Sequence, residues 1–387
     1  MNVIIKNYNI IRFVKSFLLI IFYIFLYETI SQNVNYKHDF HCIKYEDNQN
    51  MTMLLAKKVK EFFKNHGFVN INKVEEEFNA KTKQERNKNK ENNEINIGFQ
   101  LDNNFTLQAM MTMASILDSQ KNTTIIRFHI AVVLNFSVFD MLKIYSLRKR
   151  IREDAEFNFY NASRVEKDLN GLNIKGPGAV AKLLLPQLLP DGIKKLLVFD
   201  TGDLLVLKDL SEQYNWEMKD YLYVGVPGRR IGQISLITNQ TYKSYINTGS
   251  FLINVTKVKS ENMYDKFVKY KRFYHSNIGD QDLLNDVAIG KVGMYPIKFG
   301  LLSPFTDDKA KQTPKFNKVH PYIIKYFPNN STEFFKEGYI PYVIHQWNGK
   351  WSKGSGLTLF RRIAQYYIRY AGIWEETCEK FPGYCLK

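Results

Sequence analysis

Leu196–Leu210 reads LLVFDTGDLLVLKDL: an apolar run, two carboxylates one turn apart, and a second apolar run. The first run, within KLLVF (195–199), is short and carries no polar face, so it reads as a central strand covered on both sides. Such a strand needs helices above and below it, which restricts the chain to an α/β layered fold. In open α/β sheets ligands bind at the carboxyl ends of these strands, and that is where Asp200 and Asp203 fall. Acids in that position hold a hard cation or meet a cationic side chain, because unpaired buried charge is too costly. The plain alternative is a polar turn in which Asp caps and Gly202 bends the chain.

The flanking sequence supplies the other layers. INIGFQ (95–100), TIIRFHIAVVL (124–134) and GSFLINV (249–255) read as strands. FTLQAMMTMASILDS (105–119) reads as a helix with one apolar face, and Ser137 caps a helix running to about Arg150. GPGAVAKLLLPQLL (176–189), VKSENMYDKFVKYKRFY (258–274) and residues 357–371 complete the helices, while 307–336 is irregular and aromatic. This alternation predicts a mostly parallel sheet with helices on both faces, forming one domain over 95–356 before a C-terminal helix and tail at 357–387. Residues 33–94 read as an amphipathic helix around 52–64 and a Lys/Asn-rich linker, KTKQERNKNKENNE (81–94).

Part of the Lys and Arg behind the net charge of +16 sits in low-complexity sequence such as 81–94, and elsewhere it is scattered. No basic stripe interleaved with aromatics and no nucleic-acid module accompanies it, which argues against a nucleic-acid partner. An acidic membrane surface or a nucleotide diphosphate uses the same charge better. At the N-terminus Lys6, Arg12 and Lys15 precede FLLIIFYIFLY (17–27), short of the roughly 20 apolar residues of a spanning helix. Residues 1–32 therefore read as a signal peptide or as a short type II signal anchor, which associates the chain with the membrane. Either places the rest in the secretory lumen, endoplasmic reticulum or Golgi, and sequons at Asn50, Asn122, Asn161, Asn239 and Asn330 agree. Cys378 and Cys385 bracket Pro382-Gly383, so they either close a small loop in an oxidising lumen or stay free thiols. Cys42 has no evident mate, and the spacing fits no zinc motif.

Three further segments carry chemistry. No GxGxxG follows the first strand, which disfavours a dinucleotide site of the usual kind. Asp102-Asn103-Asn104-Phe105 follows instead, offering an acid and amides to a base or ribose and a ring to stack on it, or simply a helix cap. Asn247 and Gly249 open an apolar strand. Asp280-Gln281-Asp282-Leu283-Leu284-Asn285 holds more polar groups than a helix start requires.

Taken in order, Asp-Asn-Asn-Phe, Lys182-Leu-Leu-Leu-Pro, LLVFDTGDLLVLKDL, INTG, DQDLLN and His345 before Gly349, Lys350 and Trp351 resemble the retaining family 8 glycosyltransferases, the group of glycogenin and bacterial lipopolysaccharide hexosyltransferases. The resemblance covers about Ile95 to Trp351 and implies a single Rossmann-like nucleotide-sugar-binding domain, the A-type glycosyltransferase fold. It implies transfer of a hexose or pentose from a UDP-sugar donor to a glycan or glycoprotein acceptor hydroxyl, with Mn²⁺, or Mg²⁺, as cofactor. By the same resemblance Asp102, Asn104 and Phe105 bind the uridine, and Lys182, where the family usually has Arg, contacts the sugar or phosphates. Asp200, Asp203 and His345 hold the metal, and Asn247 and Gly249 line the sugar pocket. Asp280 and Gln281 stand on the face where the sugar transfers, and Gly349 and Lys350 close over the diphosphate. The chain departs from the family in its metal motif, Asp-x-x-Asp in place of Asp-x-Asp. Counted back from Asp209, Asp203 matches the second acid and Thr201 occupies the place of the first. A non-catalytic lumenal protein that binds a nucleotide sugar or glycan on the same fold is the alternative reading.

Overall fold

The computed structural model describes residues 49–66, 68–78, 93–133, 136–163, 178–235, 237–270, 279–302, 342–345, 359–382 and 385. The chain divides into one unit of residues 1–53 and another of 54–387. Of the first, only the start of helix α1 (Gln49–His66) is described. The second runs β1 (Phe68–Asn70), α2 (Ile71–Phe78), β2 (Asn93–Leu101), α3 (Thr106–Ser119), β3 (Thr124–Val132), α4 (Val138–Arg150) and β4 (Glu156–Asn161). It continues with α5 (Gly178–Leu188), β5 (Lys195–Phe199), β6 (Leu204–Val206), α6 (Ser211–Tyr214), β7 (Tyr223–Pro227), β8 (Ile246–Asn254), α7 (Val255–Ser260) and α8 (Met263–Tyr270). Last come α9 (Asp280–Val287), β9 (Val292–Met294), β10 (Leu301–Leu302), β11 (Val343–His345), α10 (Leu359–Tyr370) and α11 (Trp374–Lys380).

Eight strands form the central sheet in the order β1-β4-β3-β2-β5-β8-β7-β9. From β4 to β5 the neighbours run parallel, as the strand and helix alternation predicts. Beyond β5 the sheet changes character, because β8 runs antiparallel to both β5 and β7. The start of β8 therefore lies beside the end of β5, with Ser250 opposite Phe199. In β5 itself Leu197 and Phe199 enter one core while Leu196 and Val198 enter the other. Each such burial contributes about 2 kcal/mol, so Asp200 leaves a strand fixed on both faces.

A three-stranded sheet, β10-β11-β6, lies after that turn. Helix α3 is buried from Thr106 to Leu117, where sequence periodicity had suggested a single apolar face, because it packs on β6 and α10 while sharing the core of β2 and β3. Its two inner hydroxyls serve β6: Thr112 Oγ1 donates to the Leu204 carbonyl at 2.9 Å, and Ser115 Oγ accepts from the Val206 amide at 3.0 Å.

Other expectations shift in detail. Upstream of Ile95, where the sequence reads as helix and linker, β1 pairs antiparallel with β4 through Val69 and Phe159. The helix expected over 258–274 breaks into α7 and α8 at Asn262, whose φ of 52° leaves the helical region. Ser137 does cap α4, accepting from the Asp140 amide at 3.0 Å. The final helix is followed by α11, and Cys378 and Cys385 form a disulfide, the first of the two alternatives for that pair. Segment 307–336 and the apolar run 17–27 lie outside the described residues. Among the described residues no helix is long and apolar enough to cross a membrane.

One buried base adds a pH dependence to stability. His129 Nε2 meets Asn96 Oδ1 at 2.8 Å and its Nδ1 meets the Tyr160 hydroxyl at 2.9 Å. Asn96 Nδ2 donates to Glu94 and Tyr214, so its Oδ1 accepts and Nε2 carries the ring proton. Burial, aided by the charge of Arg127, pushes His129 down to about 3. The unfolded chain takes up that proton near pH 6.5 and the folded one does not, so this contribution is lost as pH falls from about 6.5 towards 3. At pH 4.5 the loss is about 3 kcal/mol. Urea midpoints of wild type against His129→Gln across pH 4.5–7 check this: the wild type should lose stability more steeply, and parallel curves would refute it.

Candidate active site

The turn after β5 is the start of the site. The Asp200 amide donates to the Gly249 carbonyl at 2.7 Å, continuing the pairing with β8. Thr201 turns away and donates through Oγ1 to the Gln100 carbonyl at 2.6 Å, which ties the ends of β5 and β2 together. Gly202 follows with a φ of 89°. Its Cα faces α3 so closely that a Cβ there would stand 2.3 Å from Gln108 Cβ. The extra residue of the Asp-x-x-Asp motif is thus absorbed as a left-handed glycine against a helix. Asp200, not Thr201, points its carboxylate at the site.

His345 is the last residue of β11 and pairs with Leu204 of β6. That register sets the ring beside Asp203, with Nε2 to Oδ2 at 3.6 Å. The ring also fills the space over Gly249, where a Cβ would lie 2.3 Å from His345 Cε1; glycine is required there for the close approach. Burial works against protonation of His345, but Asp203 and Asp200 together outweigh it and raise the pKa.

Asp200, Asp203 and His345 each offer a ligand atom, and these atoms lie within 4.8 Å of one another. Asp203 Oδ1 is buried and has no hydrogen-bond partner among the described residues, an orphan that calls for something else to meet it. Two carboxylates and an imidazole suit a divalent cation of intermediate softness. The residues present therefore fit a metal.

Behind the acids stands Lys182, buried in α5. Its ammonium pairs with Asp200 Oδ1, lies 2.8 Å from Asp280 Oδ2, and donates to the Thr248 carbonyl at 3.0 Å. The three donors of a lysine are thereby engaged. Burial opposes its charge, yet the two acids raise its pKa above the ordinary lysine value. In the structure Lys182 fixes Asp200 and Asp280. Asp280 also accepts from Thr248 Oγ1 at 2.6 Å. Its carboxyl is pushed up by burial and by the charge of Asp200, with Lys182 opposing.

Gln281 is buried on α9 beside the start of β8, where Asn247 Nδ2 donates to its Oε1 at 2.9 Å. Asn247 Oδ1 in turn accepts from the Gly249 amide at 2.8 Å. Asn285 fastens the two elements by accepting from the Ile246 amide at 2.8 Å and donating to its carbonyl at 2.9 Å. Asp102 caps the short 3₁₀ turn Asn103–Phe105, accepting from the Asn104 amide at 2.8 Å, which is the capping alternative read from sequence. That turn follows β2, the strand next to β5, and leaves Phe105 44% exposed. Gly349 and Lys350 lie outside the described residues.

Sequence reasoning missed Thr248, Tyr245, Arg230 and Gln108, all of which touch the site or its supports. Thr248 lay inside the INTG motif and was legible there. Gln108 announces itself only as the one carboxamide in helix α3.

Comparison with known proteins agrees with this geometry. Residues 96–330 match the family model described as Glycosyl transferase family 8. A Haemophilus influenzae protein bearing a glycosyltransferase name is 28% identical over 145 residues, covering 35% of this chain. The chain spans only 42% of that relative's length. Among solved structures, the bifunctional glycosyltransferase WbbM superposes with a TM-score of 0.59 at 14% identity, over 74% of this chain and 52% of that one. The galactosyltransferase LgtC, solved with donor and acceptor sugar analogues, gives 0.53 at 17% identity over 72% and 95%. Over the matched regions both share this chain's A-type fold, a mostly parallel sheet with helices.

Proposed function

Because the chain belongs to glycosyl transferase family 8, we propose that it moves a hexose or pentose from a UDP-sugar to a hydroxyl of a glycan or glycoprotein, keeping the anomeric configuration. The observation that carries this reading is the cluster of Asp200, Asp203 and His345 with its unpartnered buried carboxylate oxygen. These three would hold Mn²⁺, favoured by the imidazole, or Mg²⁺. When bound, the cation supplies positive charge against the departing diphosphate.

The chain's own residues do the rest. Lys182 holds Asp200 and Asp280 in register, and Asn247 and Gly249 shape the donor-sugar side. Phe105, Asp102 and Asn104 receive the uridine, with Phe105 free to stack. Gln281 orients the reacting sugar. Asp280 is committed to Lys182 and to Thr248 Oγ1, which supports front-face attack by the acceptor over a double displacement. The Cys378–Cys385 disulfide supports an oxidising compartment such as the secretory lumen.

The test is a panel of UDP-sugars with and without Mn²⁺. One donor should release UDP with product of retained configuration, and chelation should lower the rate at least about 100-fold. Tight UDP binding without release supports the non-catalytic alternative. Absence of UDP binding would sink both.

A further inference from the structure

A single chain of hydrogen bonds runs through Gln281, and its direction is fixed at both ends. The Gly249 amide donates to Asn247 Oδ1, Asn247 Nδ2 to Gln281 Oε1, and Gln281 Nε2 to the Tyr245 hydroxyl at 3.1 Å. Tyr245 donates to Asp282 Oδ1, and Asp282 Oδ2 is paired with Arg230 Nη2 at 3.1 Å. A backbone N–H only donates and a carboxylate only accepts, so every link between them has one allowed polarity. Burial, and then the charge of Asp282, hold the Tyr245 hydroxyl protonated. Its lone pair is therefore what Gln281 meets.

The two ends of a carboxamide have nearly the same shape, so packing alone does not choose between them. Turning Gln281 over would set its amide nitrogen against Asn247 Nδ2 and its oxygen against a hydroxyl already committed to Asp282. Each buried mismatch costs enough to change the populations by roughly tenfold or more. The anchor is itself well seated. Arg230 belongs to the β7–β8 connection, and the same connection is fastened to α9 a second time by Ser235 and Tyr242, both donating to Asp286 Oδ1.

We propose that Tyr245 is a positioning residue for sugar transfer, locking the Gln281 carboxamide in one orientation through Asp282 and Arg230. This rests on Gln281 facing the reacting sugar. The β7–β8 connection then takes part in turnover without touching the donor.

Tyr245→Phe keeps the buried ring, which packs edge-on against Tyr242 with centroids 5.1 Å apart, and removes only the hydroxyl. The expected result is a kcat lowered about 10- to 100-fold, with donor KM and UDP affinity within about twofold of wild type. In a Gln281→Ala background the same change should have no further effect on kcat, since Tyr245 acts through Gln281. An equal loss in both backgrounds, or a change in KM alone, overturns the proposal. If the wild type turns over no donor, the proposed function fails separately, and the same double-mutant cycle on urea midpoints still tests the lock. Coupling between the two sites upholds it there, and zero coupling refutes it.

Discussion

Asp203→Asn lowers UDP release at least about 100-fold and weakens Mn²⁺ binding in proportion, while the protein melts at or above the wild-type temperature. The first effect follows from position: Asp203 supplies one oxygen 3.6 Å from His345 and a second, buried, that no group among the described residues meets. An amide keeps the shape but removes the charge that attracts the cation, and losses of about 100-fold or more follow when a charged ligand or transition-state donor is removed. The second effect follows from crowding. Asp200 and Asp280 share Lys182, and Asp203 offers a ligand atom within 4.8 Å of that of Asp200, so neutralising Asp203 relieves repulsion that the fold tolerates for activity. Thr201→Val is the control, since Thr201 stands where the family has its first acid. It loses one hydrogen bond to the Gln100 carbonyl and should leave Mn²⁺ binding within a few fold. If Thr201→Val were the more damaging change, the assignment of Asp200 as the ligand would fall.

Gly202→Ala should both destabilise the chain and empty the metal site. A left-handed non-glycine residue costs about 1–2 kcal/mol, and the φ of 89° at Gly202 demands it. The new methyl would also stand 2.3 Å from Gln108 Cβ, and overpacking of this kind costs about 1–3 kcal/mol more. The helix cannot retreat cheaply, because α3 is buried and its Thr112 and Ser115 hold β6. The turn must move instead, and Asp203 moves with it. A lowered melting temperature together with lost Mn²⁺ binding is the expected pair of results. A melting temperature unchanged from wild type would mean that the turn has room, and that the extra glycine is not what shapes the site.

Much of the site was legible because its residues sit in short motifs with local causes. KLLVF reads as a doubly covered strand by composition alone, and β5 places alternate side chains in two cores. INTG and DQDLLN stood out because neither strand nor helix needs so many polar groups. What could not be read is how they meet. Gly249 lies beside Asp200 because β8 runs antiparallel to β5, and no periodicity reports strand direction. β1 and β4 were missed for a related reason: three residues of β1 have little pattern of their own, and pairing with β4 defines them. The two carboxylate partners of Lys182 were not legible because they come from distant segments, Asp200 and Asp280.

The pairing of β6 with β11 has a consequence for biosynthesis. Its two strands are about 140 positions apart in the chain, and His345 is opposite Leu204 only once both exist. At roughly 5–20 residues per second a ribosome needs about seven to thirty seconds to pass from the acids to the imidazole. Through that interval Asp200 and Asp203 are present without His345, so no truncated or nascent product that stops before β11 assembles the proposed metal site. Loss of a late segment therefore yields a chain that retains most of the central sheet without the three-residue cluster.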